Sequence, residues 1–328
     1  MSIKEGYLKT LKSTETEDWL DFHVIRPFCY LCAVVFAKLD FHPNTVTIMS
    51  IFIGAASAWF FMQGSFYYDG TMGLIYNIIA IVLLMWADIL DCTDGQLARM
   101  TGKKSRMGRI LDGVAGFFWF GPIYVLLVYR FYLHHTIEFD FLGIPDTEQN
   151  TLIATAIVTV LGLISGFWGM AGQQRLADYY IQVHLFFLKG EKGSELDNSE
   201  RQQEIYDNMP KDANFVERLF QKSYIGYTKK QENRTPQFQR LMKKIKENFG
   251  STDNVSADVR NAFHQESLPL MKWNGLLTFN FREFWLFLFC LLDVPVCHFL
   301  FEIIIMGLLC YYVNRRHEKF CKKIADEL

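Results

Sequence analysis

The apolar residues of this chain are gathered into long runs that are separated by polar connections. Six of these runs are about as long as a membrane-spanning helix, which needs about 20 apolar residues. The runs cover residues 44–63, 72–91, 108–132, 151–172, 276–293 and 296–313. The fifth run is the least regular, because Asn280, Arg282 and Glu283 lie in its first half. The pattern therefore predicts an all-α, polytopic membrane protein with six transmembrane helices.

The segment before the first span mixes charged and apolar positions. Its apolar run, residues 25–36, stands beside Arg26 and Lys38 and is too short to span a membrane comfortably. A short amphipathic helix of this kind is typical of the membrane interface. Pro43 then stands at the start of the first span, where proline suits the first turn of a helix. The beginning of the chain lacks the charged-then-apolar pattern of a signal peptide. We predict a cytosolic segment with an interfacial helix.

A polar block separates the fourth span from the fifth. Residues 174–187 carry apolar positions at helical spacing, and residues 190–198 are rich in turn formers. Residues 214–227 and 237–249 read as amphipathic helices. The second of these is basic, which leaves two interpretations open: the solvated surface of a helical subdomain, or a face that docks on the membrane.

These patterns divide the chain into four predicted regions. They are the N-terminal cytosolic segment 1–43, spans one to four at 44–172, a helical cytosolic insert at 173–274, and spans five and six with a basic tail at 275–328.

Basic residues indicate the orientation of the spans. The connections 64–71, 134–150 and 292–296 contain no Lys or Arg. Basic residues instead crowd the N-terminus, the connection 99–109, the polar block and the tail. Because Lys and Arg favour the cytosolic side, we predict that both termini and the connection 99–109 are cytosolic.

Composition agrees with a membrane protein and excludes several alternatives. The 328 residues are 51% hydrophobic and 16% aromatic, more than in an average soluble domain. The net charge of −2 gives no general attraction to nucleic acid, so we expect no nucleic-acid partner. The seven cysteines lie mostly in apolar runs without paired metal-binding spacing, which argues against a zinc site or a disulfide framework.

The fourth span carries small residues on one face. They are Gly162, Gly166, Gly169 and Gly172. Such a face lets membrane helices approach closely. It predicts packing within the bundle or, alternatively, the contact between two subunits.

Four carboxylates lie where the second and third predicted spans meet water. They are Asp88, Asp91, Asp94 and Asp112. A carboxylate at the centre of a helix in lipid costs roughly 2.5–3.5 kcal/mol on insertion scales and is usually kept for function. Asp91 and Asp94 share one helix face, with Asp88 one turn earlier, and Asp112 would come from the facing helix. Because Mg²⁺ and Mn²⁺ take oxygen ligands, these acids predict a divalent-cation site for a phosphorylated substrate.

The spacing of these residues matches a known pattern. The chain reads Asp91-x2-Asp94-Gly95-x2-Ala98-Arg99-x8-Gly108-x3-Asp112. This resembles the signature of the CDP-alcohol phosphotransferase (CDP-alcohol phosphatidyltransferase) family, integral-membrane enzymes of phospholipid synthesis. Pro43-Asn44 followed by Thr, at the start of the first span, resembles the family independently. The family signature has a further Asp four residues after Asp112, and this chain has Gly116 there.

The resemblance implies a reaction and a set of roles. A CDP-linked donor would pass a substituted phosphoryl group to a lipid or polar alcohol, with release of CMP. Asp91, Asp94 and Asp112 would hold Mg²⁺ or Mn²⁺, and the protein would be a homodimer among membrane lipids. We expect substrate contacts at Asn44, Gly95, Ala98, Arg99, Ser105, Gly108 and Arg175. For Arg175, an ordinary cytosolic anchor is the alternative.

Gly116 leaves the activation of the acceptor open, because the family assigns its last Asp as the base. Asp88 could take the proton or fill a metal position, or the metal alone could activate the acceptor. Alternatively, the protein is a catalytically silent relative that binds a nucleotide or serves as a scaffold. Since Gly95, Ala98 and Arg99 are intact, we favour an active enzyme. We predict the catalytic role for Asp88, and the alternative is that its side chain caps a packing contact or reaches interfacial water.

Overall fold

The computed structural model describes residues 3–11, 13–16, 21–103, 106–210 and 214–328. These residues form helices joined by turns, and they include no β-strand, so the all-α prediction is confirmed. The helices are α1 (Ile3–Thr10), α2 (Arg26–Lys38), α3 (Pro43–Gln63), α4 (Phe66–Asp69), α5 (Thr71–Thr101), α6 (Arg106–Leu133), α7 (Thr136–Leu142), α8 (Glu148–Ile164), α9 (Gln174–Lys189), α10 (Ser199–Asp207), α11 (Phe215–Arg234), α12 (Pro236–Phe249), α13 (Ala257–Gly275), α14 (Phe279–Leu291), α15 (Val296–Phe301) and α16 (Gly307–Glu327). Three π-helical segments precede α2 (Asp21–Ile25), join α8 to α9 (Ser165–Gln173) and join α15 to α16 (Glu302–Met306).

Five helices of the described chain are long and apolar enough to cross a membrane. They cover Pro43–Gln63, Thr71–Thr101, Gly113–Leu133, Glu148–Lys189 and Val296–Glu327. The fifth predicted span forms only α14, which has 13 residues. At 1.5 Å per residue it is about 20 Å long, shorter than the hydrocarbon core of about 30 Å. The protein is therefore an integral membrane protein, and the predicted count of six spans is not confirmed.

The contacts divide the chain into two compact units. The first unit contains residues 1–171 and 280–305, and the second contains residues 172–279 and 306–328. The second unit thus combines the predicted insert with the last part of the chain.

The centre of the first unit is α3, which packs against both α5 and α6, while α2 packs against α5. Gly54 allows the close approach of α3 to α6, because a Cβ there would overlap the ring of the fully buried Trp119. At the start of α3, an apolar cluster joins α2, α3 and α5. It consists of Ala33, Val46, Leu90 and Leu97. This packing fixes α5, which carries the signature, against the start of α3.

A buried ion pair lies at the end of the first unit that is remote from the signature. Arg130 Nη2 lies 2.5 Å from Asp293 Oδ1, and Arg130 is 1% exposed. Arg130 Nη1 also donates to the carbonyl of Phe61 at 2.9 Å and to Asn77 Oδ1 at 3.1 Å. The second oxygen of Asp293 accepts from Ser65 Oγ at 2.9 Å. The pair therefore ties α6 to α3, to α5 and to the turn between α14 and α15.

A second buried ion pair explains one polar residue of the irregular fifth run. Arg282 Nη1 lies 2.5 Å from Glu302 Oε1, and both side chains are fully buried. Tyr124 Oη donates to Glu302 Oε2 at 2.5 Å, and Ser165 also donates to this oxygen. Ser165 and Glu302 each begin a π-helical segment. The irregular turns thus occur where three helices share one buried carboxylate.

The glycines of the fourth predicted span pack inside the first unit. A Cβ at Gly162 would lie 3.3 Å from Val128, and one at Gly166 would lie 3.2 Å from Tyr124. A Cβ at Gly169 would lie 3.5 Å from Glu302 Cβ. These contacts favour packing within the bundle as the use of this face.

The second unit is a helical subdomain in which α9 packs on α11 and α13, and α16 packs on α12 and α13. The amphipathic pattern of α12 buries Phe238, Leu241 and Ile245. On its basic face, Lys244 Nζ donates to the carbonyl of Ala325 at 2.5 Å, and Arg240 pairs with Asp326 at 2.8 Å. These contacts favour the subdomain interpretation over membrane docking for this face.

Candidate active site

The first part of the signature, from Asp91 to Arg99, lies on the C-terminal part of one uninterrupted helix. α5 has 31 residues and is about 46 Å long at 1.5 Å per residue, longer than the hydrocarbon core of a bilayer. It ends at Gly102, which has the left-handed φ of 72° that glycine adopts easily. Asp91 and Asp94 therefore lie on a rigid helix, at or beyond the end of its apolar part.

Asp94 is held by the start of α3. Its side chain is 4% exposed, and the hydroxyl of the buried Thr47 donates a hydrogen bond to Asp94 Oδ2. Pro43 occupies the first turn of α3, and His42 Nδ1 accepts from the backbone N–H of Asn44 at 3.2 Å. The N-terminus of a helix carries a partial positive charge that favours a nearby anion. Asn44, a predicted substrate contact, lies half-buried one turn before Thr47.

Gly95 and Arg99 act as a pair on the same helix. A Cβ at Gly95 would lie 3.3 Å from Arg99 Nη1 and 3.5 Å from Nη2. Arg99 Nε donates to the carbonyl of Thr10 at 2.5 Å. Gly95 therefore leaves room for the guanidinium of Arg99, and the predicted contact of Gly95 with substrate stays a prediction.

The other signature positions are placed to different extents. Asp91 and Ala98 are half-buried on α5, and Gly108 is half-buried in the first turn of α6, which contacts α5. Asp112 belongs to α6, but its side chain lies outside the described part of the chain, as does the whole of Ser105. The completion of the site by Asp112 stays a prediction. Gly116 is buried in α6.

Asp88 lies on a different face of α5 from Asp94. Asp21 and Arg26 lie near enough to Asp88 for their charges to act on it. Arg26 Nη1 donates to the sulfur of Cys92, one turn after Asp88, at 3.0 Å. Asp88 therefore faces α2 and the segment before it, whereas Asp94 faces α3. Its predicted catalytic role stays a prediction.

Arg175 belongs to the second unit, on α9. Its guanidinium carbon lies 5.3 Å from the centre of the Tyr227 ring, a cation–π distance. Its predicted contact with substrate stays a prediction.

Sequence reasoning missed two polar residues of the first unit. Thr47 follows Pro43-Asn44 closely in the sequence. Its bond to Asp94 spans 47 positions, so no local sequence pattern predicts it. Glu283 was read only as a disturbance of the fifth span. Its side chain is 5% exposed, and its Oε1 has no hydrogen-bond partner among the described residues. An acid inside an apolar run is itself the signal that could have identified it.

The chemistry of this group suits a hard divalent cation. Asp91 and Asp94 provide carboxylate oxygens, which Mg²⁺ and Mn²⁺ prefer. The bond from Thr47 fixes the carboxylate of Asp94, and Arg99 adds a guanidinium suited to phosphate on the same helix. The arrangement can therefore bind a phosphorylated, negatively charged substrate.

Comparison with known proteins identifies the matching part of the chain. A family model described as CDP-alcohol phosphatidyltransferase matches residues 41–173, which confirms the resemblance over this range. No curated protein and no solved structure matches the chain significantly.

Proposed function

We propose, from the match of residues 41–173 to the CDP-alcohol phosphatidyltransferase family model, that the protein transfers a substituted phosphoryl group from a CDP-linked alcohol to a second alcohol, with release of CMP. The product would be a phospholipid or a phosphosphingolipid. The observation that carries this proposal is the buried Asp94, fixed by Thr47 beside Asp91 and Arg99 at the end of α5.

A divalent cation, Mg²⁺ or Mn²⁺, would be held by Asp91, Asp94 and Asp112. The described donors fit, because they are carboxylate oxygens and one of them is oriented by a hydroxyl donor. When bound, the cation supplies positive charge that neutralises the diphosphate of the donor.

The side chains around the acids would bind and orient the donor. Arg99 presents a planar guanidinium that can donate two hydrogen bonds to a phosphate, and Gly95 gives that guanidinium its place along α5. Further substrate contacts are proposed from the sequence at Asn44, Ala98, Ser105 and Gly108. The contact of Arg175 with substrate stays a prediction from the sequence.

Asp88 is proposed as the base, because Gly116 cannot accept a proton. The carboxylate of Asp88 would take the proton of the acceptor hydroxyl as that oxygen forms its bond to phosphorus. The bond from phosphorus to the CMP oxygen breaks, and CMP leaves with the electron pair. General-base catalysis of this kind typically contributes about 10²–10⁴-fold to a rate.

The proposed setting is a homodimer with its active site and both termini in the cytosol. The distribution of Lys and Arg along the sequence supports this orientation. Because Gly162, Gly166 and Gly169 face neighbours in their own unit, the surface between subunits would lie on other residues. A membrane alcohol and a cytosolic CDP-compound could both reach a site at the boundary between the membrane and the cytosol.

The proposal is tested by release of CMP from a panel of CDP-alcohols. Purified full-length protein in lipid nanodiscs would receive CDP-diacylglycerol with polar alcohols, and CDP-ethanolamine or CDP-choline with diacylglycerol or ceramide. We expect CMP release with one pair, dependent on Mg²⁺ or Mn²⁺ and abolished by EDTA. Absence of CMP with every pair, while a control enzyme works in the same nanodiscs, would contradict the proposal.

Gly116 supports a second candidate, a catalytically silent membrane protein that binds a cytidine nucleotide or serves as a scaffold. Equilibrium binding of CDP-alcohols separates the two candidates. Saturable binding without CMP release is the result expected for the silent protein.

A further inference from the structure

A second group of acids lies in the first unit, next to the signature but outside it. This acidic trio consists of Asp21, Asp88 and Glu283. Asp21 is in the π-helical turn before α2, Asp88 is on α5, and Glu283 is on α14. The three carboxylates come from separate segments of the chain, and they lie near enough for the charges of Asp88 and Asp21 to act on Glu283.

Hydrogen bonds beside the acids define this placement. Asn280 Nδ2 donates to Asp21 Oδ1 at 2.7 Å. Asn280 and Glu283 are three residues apart and share one face of α14, so Asp21 lies along the face that carries Glu283. On α5, Arg26 contacts Cys92 at 3.0 Å, one turn after Asp88. Arg26 follows Asp21 by five residues, so this short segment contacts α14 through Asp21 and α5 through Arg26.

Glu283 is the member of the trio for which the described residues supply no cationic partner. It is 5% exposed, and its Oε1 has no hydrogen-bond partner within the described chain. The charges that act on Glu283 are those of Asp88 and Asp21, which have the same sign. The adjacent Arg282 is paired with Glu302 at 2.5 Å. A buried carboxylate is usually paired with a cation or bound to a ligand, so this group calls for a positively charged ligand.

The geometry distinguishes between kinds of cation. Among the described residues, the acids of the trio do not form a group whose ligand atoms converge within 4.8 Å, as a metal site requires. An ammonium group carries several N–H donors that point in different directions, so it suits carboxylates that surround it from three segments. Asp88 is one turn before Asp91 on α5, and such a ligand would lie close to the proposed reaction site.

We propose that the acidic trio binds the ammonium group of an amino alcohol and thereby selects substrates with an aminated head group. The selection rests on the proposed function, whereas the binding of the ammonium group does not.

The binding is tested by ligand-observed NMR titrations on the full chain in nanodiscs. Ethanolamine is the charged probe and ethylene glycol is the neutral one. We expect saturable binding of ethanolamine, at least about fivefold weaker binding of ethylene glycol, and a loss of about tenfold in ethanolamine affinity in Glu283→Gln. Glu283→Asp keeps the charge and should stay within about threefold of the wild type.

Matched variants keep the test independent of folding defects. Glu138→Gln makes the same change on α7, between the third and fourth spans, and should leave the affinity unchanged. Asp21→Asn changes a trio member outside α5 and α14, and should weaken binding by about three- to tenfold. Size-exclusion profiles and melting temperatures identify misfolded variants, and Asp21→Asn decides the matter if Glu283→Gln does not fold.

Four outcomes overturn the inference. The first three are no saturable binding of ethanolamine, equal affinity for the two probes, and wild-type affinity in the correctly folded trio variants. The fourth is displacement of ethanolamine by Mn²⁺ together with a loss of Mn²⁺ affinity in Glu283→Gln, because that result would show a metal site. CMP release, measured on the same preparations, separates this inference from the proposed function. Release without ethanolamine binding contradicts only the inference, and ethanolamine binding without release contradicts only the proposed reaction.

Discussion

The hydroxyl of Thr47 donates a hydrogen bond to the carboxylate of Asp94, and this contact joins the start of α3 to the signature helix α5. Both side chains are buried, with exposed fractions of 2% and 4%. The carboxylate is thereby oriented by a neutral donor on another helix. The same helix start carries Asn44, so the packing of α3 on α5 brings two parts of the family pattern together.

The first prediction concerns this bond. Thr47→Val keeps the side-chain shape but removes the donor, so the buried carboxylate of Asp94 loses this hydrogen bond at a cost of about 1–3 kcal/mol. If the loss is felt in the transition state, CMP release falls about 10- to 100-fold. Thr45→Val, at an exposed position of the same helix, is the control. Equal rates in the two variants would contradict a role for the bond.

The second prediction concerns Gly95. In Gly95→Ala the new methyl group would lie 3.3 Å from Arg99 Nη1, so the guanidinium has to shift. We expect the KM for the CDP-linked donor to rise about three- to tenfold. Gly121→Ala on α6 is the control, because a Cβ there has nothing within 4 Å, and alanine is favoured over glycine in a helix by about 1 kcal/mol. An unchanged KM in Gly95→Ala would mean that the position of Arg99 does not matter.

The third prediction concerns the buried pair of Arg130 and Asp293. Arg130→Met removes one partner and leaves Asp293 uncompensated, which costs about 3–5 kcal/mol. The measurement is the free energy of unfolding in detergent micelles. Arg201→Met breaks an exposed pair with Glu191, at 3.4 Å, and should cost at most about 1 kcal/mol. A similar decrease in the free energy of unfolding in both variants would show that the buried pair stabilises the protein no more than the exposed pair does.

The fourth prediction concerns pH and Glu138, on α7 between the third and fourth spans. Burial raises the pKa of this carboxyl group above its ordinary value. A group whose pKa is raised by folding stabilises the protein below its unfolded pKa, about 4.3, and this contribution disappears as the pH rises through the folded pKa. Wild type should therefore lose stability relative to Glu138→Gln as the pH rises above about 4, and the difference is followed up to about pH 7.

Unfolding midpoints over this pH range provide the measurement for Glu138. Glu204→Gln, at an exposed position of α10, is the matched control and should show no such trend. A constant difference between wild type and Glu138→Gln across the range would contradict the burial of an ionisable group.

The spans could be predicted where length and apolarity are properties of one continuous segment. Residues 44–63 became α3 because nothing interrupts the run between Pro43 and Gly64. The fifth run forms a shorter helix than predicted, for a local reason and a distant one. Residues 276–278 form a turn before α14, and Arg282 is needed to pair with Glu302, 20 positions later. A hydropathy pattern does not contain that partner.

The site could be predicted as far as helical periodicity reaches. Asp91, Asp94 and Arg99 share one helix, so their spacing alone places them near each other. The contact of Asp94 with Thr47 depends on how α3 packs against α5. The interaction of Glu283 with Asp88 likewise joins residues that are far apart in the sequence. Such contacts arise from tertiary packing, and one sequence gives no local sign of them.

The central claim is that the acids of α5 perform CDP-alcohol chemistry without the last family Asp. Its most direct test is CMP release by wild type, Asp94→Asn and Gly116→Asp in parallel, with the donor and acceptor pair found for the wild type, or with the whole panel if none is found. We predict release by the wild type and a fall of at least about 100-fold in Asp94→Asn. Wild-type release in a folded Asp94→Asn, or release that occurs only in Gly116→Asp, would contradict the account.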